Sequence, residues 1–291
     1  MKSLPAPKLS RFAVRVLRDF FLRNNGLLLS GAVAYNALLS LIPLATVLVV
    51  IFSQFFDKEI LIESITREAA LLAPSSQEML TGLIESFLDS RKLAGGIGVV
   101  VLLFFSSIGF RVLENAFAII FHRPVPTLRR KFWVSALMPY LFIALIALGL
   151  IVLTVISAWF ERSSGFTYQI AGLDFGVGSA FGVALYLAGL LGLVLLFTTL
   201  YKVMPMTKIS FRLALTGGAT AAALWELLRH LLTRYFESIS YVGMIYGSMA
   251  TTIIVLLTME AGALIVLLGA QVIADLQRSL SEGTPWYEDP E

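Results

Sequence analysis

The sequence predicts an all-α integral membrane protein, a bundle of six transmembrane helices with an N-terminal interfacial helix and an amphipathic helical outer cap. Composition, six long apolar segments and the distribution of Lys and Arg all support this fold. Of the 291 residues, 58% are hydrophobic and 14% are charged. Soluble domains average roughly 45–50% apolar and about 25% charged residues. A chain this apolar could not cover its surface with polar groups in water, whereas lipid requires no polar exterior.

The N-terminal region, residues 1–26, predicts an amphipathic basic helix over 8–24. Its apolar side chains recur at helical spacing: Leu9, Phe12, Ala13, Val16, Leu17 and Phe20. Its arginines fall largely on other faces: Arg11, Arg15, Arg18 and Arg23. A helix of this kind is suited to the membrane interface. The alternative is a helix that is solvated on the cytoplasmic side.

The predicted transmembrane domain covers 27–273 and contains six apolar segments, each near the ~20 residues that a helix needs to cross the hydrocarbon core. The segments are approximately 27–54, 93–121, 134–160, 176–201, 211–235 and 245–273. Pro43 should kink the first helix because it removes one backbone hydrogen bond. Gly189 and Gly192, with the spaced pair Gly178 and Gly182, predict close helix packing along the fourth segment.

The distribution of Lys and Arg predicts the orientation. With the N-terminus inside, 14 of these residues fall in inner segments and 7 in outer segments, and Arg111 in a span completes the 22. Cytoplasmic loops of membrane proteins carry the excess of Lys and Arg. We therefore predict that both termini are cytoplasmic. The tail, 274–291, should be cytoplasmic and disordered beyond Gly283.

The largest segment between spans, 55–92, is acidic and lies on the predicted outer side. Its periodicity predicts two amphipathic helices, about 57–72 and 76–90, with a break at Pro74 and an N-cap in the serines that follow. These helices could form an outer cap that binds a partner. A helical hairpin that only connects two spans would produce the same pattern.

Several short motifs occur in order along the chain. They are SGAVAYNALLSLIP (30–43), LENAFAIIFHRP (113–124), YKVMP (201–205), the pair Gly217 and Gly218, ALWELL (223–228), YGS (246–248) and LLGAQVIADL (267–276). The ordered set resembles the YihY/BrkB family of bacterial inner-membrane proteins, over about 10–277. The resemblance implies about six transmembrane helices in the bacterial inner membrane. It also implies suggested roles in serum resistance and in transport of lipid or lipopolysaccharide precursors, and an earlier ribonuclease BN label that is regarded as mistaken.

Ionisable and polar groups within the predicted spans form the candidate site. They are Asn36, Arg111, Glu114, Asn115, Glu226, Arg229 and Glu260. Such groups are costly in lipid and usually face a protein interior or a water-filled cavity. At 1.5 Å per residue they spread from the inner half of the bilayer to the outer half. If the helices face one another, the groups form a polar ladder, which suits a pathway for a charged or amphiphilic solute. A static network of ion pairs would suit the same residues equally.

Motifs of soluble enzymes are absent from the sequence. It has no P-loop and no Gly-rich dinucleotide fingerprint, no cysteine, and two histidines far apart in the chain, His122 and His230. We therefore predict no catalytic residues, no metal and no cofactor. The basic cluster near Arg129 fits the cytoplasmic excess of positive charge and could contact anionic lipids, so we predict no nucleic-acid partner.

These observations favour a transporter or flippase-like protein for an amphiphilic or lipid-type substrate, with membrane lipids as its partners. In this hypothesis Arg111 holds an anionic head group, and Glu114, Glu226 and Glu260 act as counter-charges or proton acceptors. The alternative is a non-transporting envelope scaffold that uses the outer cap as its interaction surface. A ribonuclease would need several converging His and Asp residues, which the chain does not supply.

Overall fold

The structure, a computed structural model, describes residues 6–52, 103–105, 107–122, 137–149, 169–170, 173–174, 177–205, 207–238 and 250–288. Helix α1 spans Ala6–Arg18 and continues into one π-helical turn, Asp19–Arg23. The further helices are α2 (Gly26–Phe52), α3 (Ile108–Ile120), α4 (Leu137–Gly149), α5 (Val177–Val203), α6 (Phe211–Ser238) and α7 (Ala250–Glu282). Two strands of two residues each, Gln169–Ile170 and Leu173–Asp174, pair antiparallel before α5.

Three stretches of the described chain are long and apolar enough to cross a membrane: Leu103–Ile120, Val183–Val203 and Val255–Glu282. They overlap the second, fourth and sixth predicted segments, and Val255–Glu282 continues nine residues beyond the predicted end at 273. Gly26–Ser40, which is part of α2, and Leu137–Gly149 are shorter apolar stretches that overlap the first and third. The prediction of a helical membrane protein is confirmed, and the number of six spans stays a prediction. The predicted outer cap, 55–92, lies outside the described residues.

The chain divides into two compact units. The first consists of Met1–Ala34, Leu113–Arg130 and Tyr140–Glu291, and the second of Tyr35–Val112 and Lys131–Pro139. In the second unit α2 and α3 approach closely at Gly109, where an added Cβ would lie 3.1 Å from the Cα of Ala37. A glycine at this position therefore lets the two backbones meet.

Helix α6 packs against both α5 and α7 in the first unit, and two adjacent glycines make the contact. A Cβ at Gly218 would lie 2.9 Å from the backbone nitrogen of Thr198 on α5. A Cβ at Gly217 would lie 2.5 Å from Cγ1 of Ile273 on α7. The close packing predicted at Gly189 and Gly192 is wrong for the described chain, since no atom there lies within 4 Å of an added Cβ.

Tyr201 is the largest fully buried side chain of the described core, and it joins α5 to α7. Its hydroxyl donates to the carbonyl oxygen of Val266 at 2.8 Å, and its ring meets Phe117 of α3 edge-on at 6.1 Å between centroids. The ring lies against Gly269, where an added Cβ would be 2.8 Å from Cζ. Gly269 is therefore required because the tyrosine occupies the space that a side chain would need.

The N-terminal helix packs on the C-terminal end of α7. Phe12, Val16 and Phe20, predicted to face the membrane interface, are buried, while Leu9 and Leu17 remain exposed. Phe12 meets the ring of Trp286 edge-on at 5.6 Å. The apolar face of α1 is thus partly covered by protein, because an apolar stripe can be buried by the chain as well as by lipid. The expected disorder beyond Gly283 is wrong as far as residue 288.

Candidate functional site

The structure distributes the predicted site residues between the two units. Asn36 on α2 and Arg111 on α3 lie in the second unit, where both are partly buried. The Arg111 guanidinium lies over the Phe104 ring, 5.9 Å from its centroid. A cation over an aromatic face is attracted by the quadrupole of the ring. Arg111 therefore has an aromatic neighbour that sequence spacing did not predict.

Glu114, Asn115 and Glu260 belong to the first unit. Glu114 is buried on α3, whereas its neighbour Asn115 is exposed. Glu260, in the N-terminal third of α7, is partly buried, and its Oε1 lies 3.7 Å from the position of a Cβ added at Gly31 of α2. The carboxyl group of Glu260 thus contacts the start of the first predicted span.

Glu226 and Arg229 are two predicted residues that the structure brings together, and we call them, with Tyr186 and His230, the Glu226 cluster. The Tyr186 hydroxyl on α5 donates to Oε1 of Glu226 on α6 at 2.7 Å. The Arg229 guanidinium pairs with the same oxygen. Nδ1 of His230 lies 3.7 Å from it. One carboxylate oxygen therefore has an interhelical hydrogen bond and an intrahelical ion pair at the same time.

Exposure within the Glu226 cluster changes along α6. The Glu226 side chain is 19% exposed, while those of Arg229 and His230 are 56% and 59% exposed. The spacings of three and four residues put all three groups on one face of the helix. The Glu226 carboxylate therefore lies between α5 and α6, and the Arg229 guanidinium and the His230 imidazole lie further out. Tyr186 was not among the predicted site residues, and its hydroxyl was the available signal because it is a polar group in a mostly apolar segment.

An open groove between α5 and α6 ends at the Glu226 cluster, and we call it the α5–α6 groove. Its volume is about 410 Å³. Its lining is mostly aliphatic and includes the polar groups Glu226 and His230: Leu190, Val194, Ala219, Ala222, Ala223, Glu226, Leu227 and His230. Small alanines form the α6 wall, which leaves room for an occupant. An apolar groove beside a charged cluster has the chemistry to hold an amphiphile.

A second polar cluster, which the sequence analysis did not predict, ties the N-terminal segment to α7. Arg15 is buried, and its Nη2 donates to the backbone oxygen of Asp275 at 2.8 Å and to Oγ of Ser279 at 3.0 Å. Its Nη1 donates to the backbone oxygen of Glu288. The guanidinium thus satisfies carbonyl groups in the last turns of α7 and in the segment after it.

The same cluster continues along one face of α7. Nδ2 of Asn24 donates to Oε1 of Gln271 at 2.7 Å, and Nε2 of Gln271 donates to Oδ1 of Asp275 at 3.0 Å. Asp19 in the π-helical turn accepts from the Nε and Nη2 of Arg18. Gln271, Asp275 and Ser279 are four residues apart, so they share one helix face. The spacing of Gln271 and Asp275 within LLGAQVIADL indicates a polar face of the helix. Hydropathy averages over all faces of a helix and therefore does not show it.

This cluster borders a second cavity of about 410 Å³, which we call the terminal cavity. Its polar and charged lining residues are Asp19, Arg23, His122, Thr207, Asp275, Gln277, Arg278 and Ser281. Oδ2 of Asp275 and Oγ1 of Thr207 are buried and have no hydrogen-bond partner in the described part of the chain. Among the described residues, no group of three or more His, Asp or Glu is arranged to hold a metal ion.

Comparison with known proteins places the chain among bacterial membrane proteins. It is 28% identical to a UPF0761 membrane protein of Aggregatibacter aphrophilus, and the match covers 87% of each chain. It is 25% identical to one of Haemophilus influenzae, over 85% of this chain and 88% of the relative. It is 27% identical to one of Mannheimia succiniciproducens, over 85% and 83%. No solved structure matches the chain.

The family comparison agrees with the motifs. The model of the family described as virulence factor BrkB matches residues 18–290, which is nearly the whole chain. Within it lie Gly217 and Gly218, which join α6 to its neighbours, and LLGAQVIADL, which carries Gln271 and Asp275. The protein is therefore an integral membrane protein that belongs to the BrkB family.

Proposed function

We propose that this protein is a transporter or flippase-like protein that moves an amphiphilic, lipid-type molecule across the bacterial inner membrane. The observation that carries the proposal is the α5–α6 groove, an open apolar groove about 410 Å³ in volume that ends at the Glu226–Arg229 ion pair. Its aliphatic walls suit an acyl chain. The Glu226 cluster, at one end of the groove, suits a polar head group.

The chemistry of Glu226 supports a role in transfer. Charged groups within a span are expensive, so a protein that keeps them usually uses them to bind or conduct a polar group. Oε1 of Glu226 receives hydrogen bonds from both Tyr186 and Arg229. A phosphate on a passing head group could take the Arg229 guanidinium, while the Tyr186 hydroxyl continues to satisfy Glu226. The ion pair would then exchange partners without leaving the carboxylate bare.

The remaining predicted residues have roles proposed from the sequence. Arg111 would hold an anionic head group, and Glu114 and Glu260 would act as counter-charges along the helices that carry them. The proposed arrangement has six spans and both termini in the cytoplasm, following the excess of Lys and Arg in the inner segments. Asn36 and Asn115 would each supply neutral hydrogen-bonding groups on their own helices.

The test measures transfer of a fluorescent phospholipid between the leaflets of proteoliposomes. Quenching of the fluorophores in the outer leaflet reports how much phospholipid has moved. Wild-type protein should accelerate transfer over protein-free liposomes, and Glu226→Gln should slow the protein-dependent rate by about tenfold or more. Glu282→Gln, an exposed carboxylate at the end of α7, is the matched control and should keep the wild-type rate. Size-exclusion chromatography of each variant reports the fold. Transfer by wild type no faster than in empty liposomes would contradict the proposal and favour a scaffold.

A further inference from the structure

The terminal cavity contains a buried acceptor that the described chain leaves unsatisfied. Asp275 is 4% exposed, and only its Oδ1 is engaged, by Nε2 of Gln271. Its Oδ2 has no hydrogen-bond partner there, and neither does Oγ1 of Thr207 on the cavity lining. A buried carboxylate oxygen without a donor is costly. The cavity is therefore suited to an occupant that donates hydrogen bonds to Asp275.

The other charges around the terminal cavity restrict the occupant further. Oδ1 of Asp19 already accepts from the guanidinium of Arg18, whereas Oδ2 of Asp275 is buried and has no donor in the described part of the chain. The cationic lining residues are less buried: Arg23 is exposed, and the Arg278 side chain, which pairs with Glu282, is 31% exposed. Among the residues that line the cavity, the carboxylate of Asp275 is therefore buried and the guanidinium groups lie nearer the surface. A ligand that matches both has a cationic donor at one end and an anion at the other.

We propose that the terminal cavity binds a phosphate zwitterion with a primary ammonium group, as in phosphoethanolamine. The ammonium group would donate to Oδ2 of Asp275 and contact Oγ1 of Thr207, and the phosphate would lie between Arg23 and Arg278. Paired guanidinium groups suit phosphate oxygens. A quaternary ammonium has no N–H donor, so a choline analogue would leave Asp275 unsatisfied. The volume of about 410 Å³ lies within the range of small-molecule sites.

Two sources can supply this chemistry, an ethanolamine phospholipid and free phosphoethanolamine. The exposed side chains of Phe21 and Leu22 next to Arg23 provide apolar surface for a lipid chain. The terminal cavity shares no lining residue with the α5–α6 groove. The inference therefore does not require the groove to move an amphiphile, and either proposal can fail without the other.

The experiment measures binding to full-length protein in detergent by native mass spectrometry and by thermal unfolding. The lipid arm compares phosphatidylethanolamine with phosphatidylcholine of the same acyl chains, and the soluble arm compares phosphoethanolamine with phosphocholine. Wild-type protein should prefer the ethanolamine form by about tenfold in at least one arm, as expected for one charge-assisted hydrogen bond. Preference in the lipid arm alone identifies a lipid ligand, and preference in both arms shows that the head group suffices.

Substitutions assign the preference to the cavity. Asp275→Asn keeps an oxygen that can accept from Gln271 but removes the charge, and it should abolish the preference for ethanolamine. Thr207→Val provides a second test if Asp275→Asn does not fold, and it should reduce the preference. Arg23→Gln should weaken binding of both head groups, whereas Arg11→Gln, at an exposed position on α1, should change neither. Equal binding of both head groups by wild type, or an unchanged preference in the folded Asp275 and Thr207 variants, would overturn the proposal.

Discussion

Gly269→Ala tests whether α5 and α7 meet as closely as the structure indicates. An alanine Cβ at this position would lie 2.8 Å from Cζ of Tyr201, closer still to its hydroxyl, and 3.1 Å from the backbone oxygen of Gly217. Carbon atoms in contact are separated by about 3.5–4.0 Å. The ring would therefore have to move by about 0.7 Å or more, although it is fully buried and hydrogen-bonded to Val266.

The cost of this substitution has two parts. Overpacking a core with one methyl group costs about 1–3 kcal/mol, and losing the tyrosine hydrogen bond costs about 0.5–1.5 kcal/mol. We expect Gly269→Ala to lower the free energy of unfolding by about 2–4 kcal/mol in total, measured by denaturation in mild detergent. Adding Tyr201→Phe should recover part of the loss, because it removes the hydroxyl that lies nearest to the new methyl group.

Gly192→Ala is the matched control on α5. No described atom lies within 4 Å of its added Cβ, and alanine is the better helix former by about 0.8–1 kcal/mol. Its stability should therefore equal or slightly exceed that of wild type. If Gly269→Ala is as stable as Gly192→Ala, the helices are further apart than described, and the argument for a glycine contact is wrong.

Three further substitutions address the terminal segments and the Glu226 cluster. Arg15→Ala should lower the free energy of unfolding by about 1.5–3 kcal/mol, because the backbone oxygens and the Ser279 hydroxyl lose the buried guanidinium that donates to them. The exposed Arg11→Ala should change it by less than about 0.5 kcal/mol, and denaturation in detergent measures both. Trp286→Leu should cost about 0.5–1.5 kcal/mol through the lost edge contact with Phe12, and limited trypsin digestion should then cleave within α1 sooner. Tyr186→Phe should slow lipid transfer in proteoliposomes but less than Glu226→Gln, because Arg229 still pairs with the carboxylate. Wild-type stability of Arg15→Ala, unchanged digestion of Trp286→Leu, or wild-type transfer by Tyr186→Phe would contradict the corresponding contact.

Much of the helical fold could be predicted because hydropathy measures directly how apolar a segment is, and a helix that crosses lipid must be apolar over its length. The second, fourth and sixth predicted segments each overlap a described stretch of sufficient length and apolarity to cross a membrane. Hydropathy does not distinguish an apolar side chain that faces lipid from one that faces protein. Leu187 and Leu191 on α5 are exposed, whereas Phe197 and Tyr201 further along the same helix are buried. The faces through which the helices contact one another are therefore visible only in the structure.

Glycine motifs, like hydropathy, do not show which faces of the helices are in contact. A spacing motif shows where two helices could approach but not whether another helix is present. A Cβ added at Gly189 has no neighbour within 4 Å among the described residues, whereas Gly217 lies against α7 and Gly218 lies against α5. Adjacent glycines place one contact on each of two helix faces, since successive residues point about 100° apart. That geometry explains why a consecutive pair, rather than a spaced pair, suits a helix between two others.

The charged groups of the candidate site could be found from the sequence where they lie inside an apolar segment. Glu226 and Arg229 have helical spacing and form an ion pair on α6, while their use in a pathway stays a prediction. The polar contacts of Arg15 and Asp275 were not predictable, because the partners are 260 residues apart and the arginine lies in a helix that is basic throughout. Such a pattern indicates a solvated or interfacial face, and only the contact with α7 shows that one of its arginines is buried.

Blocking the α5–α6 groove tests the central claim most directly. Ala223 lies on the exposed α6 wall of the groove, and Ala223→Phe should fill part of the space while leaving Glu226 and its partners in place. Leu187→Phe adds an aromatic ring to an exposed position on α5 that does not line the groove. In proteoliposomes we predict that Ala223→Phe slows phospholipid transfer to the rate of protein-free liposomes and that Leu187→Phe transfers at the wild-type rate. Wild-type transfer by a correctly folded Ala223→Phe variant would contradict the account, because no amphiphile could then use this groove.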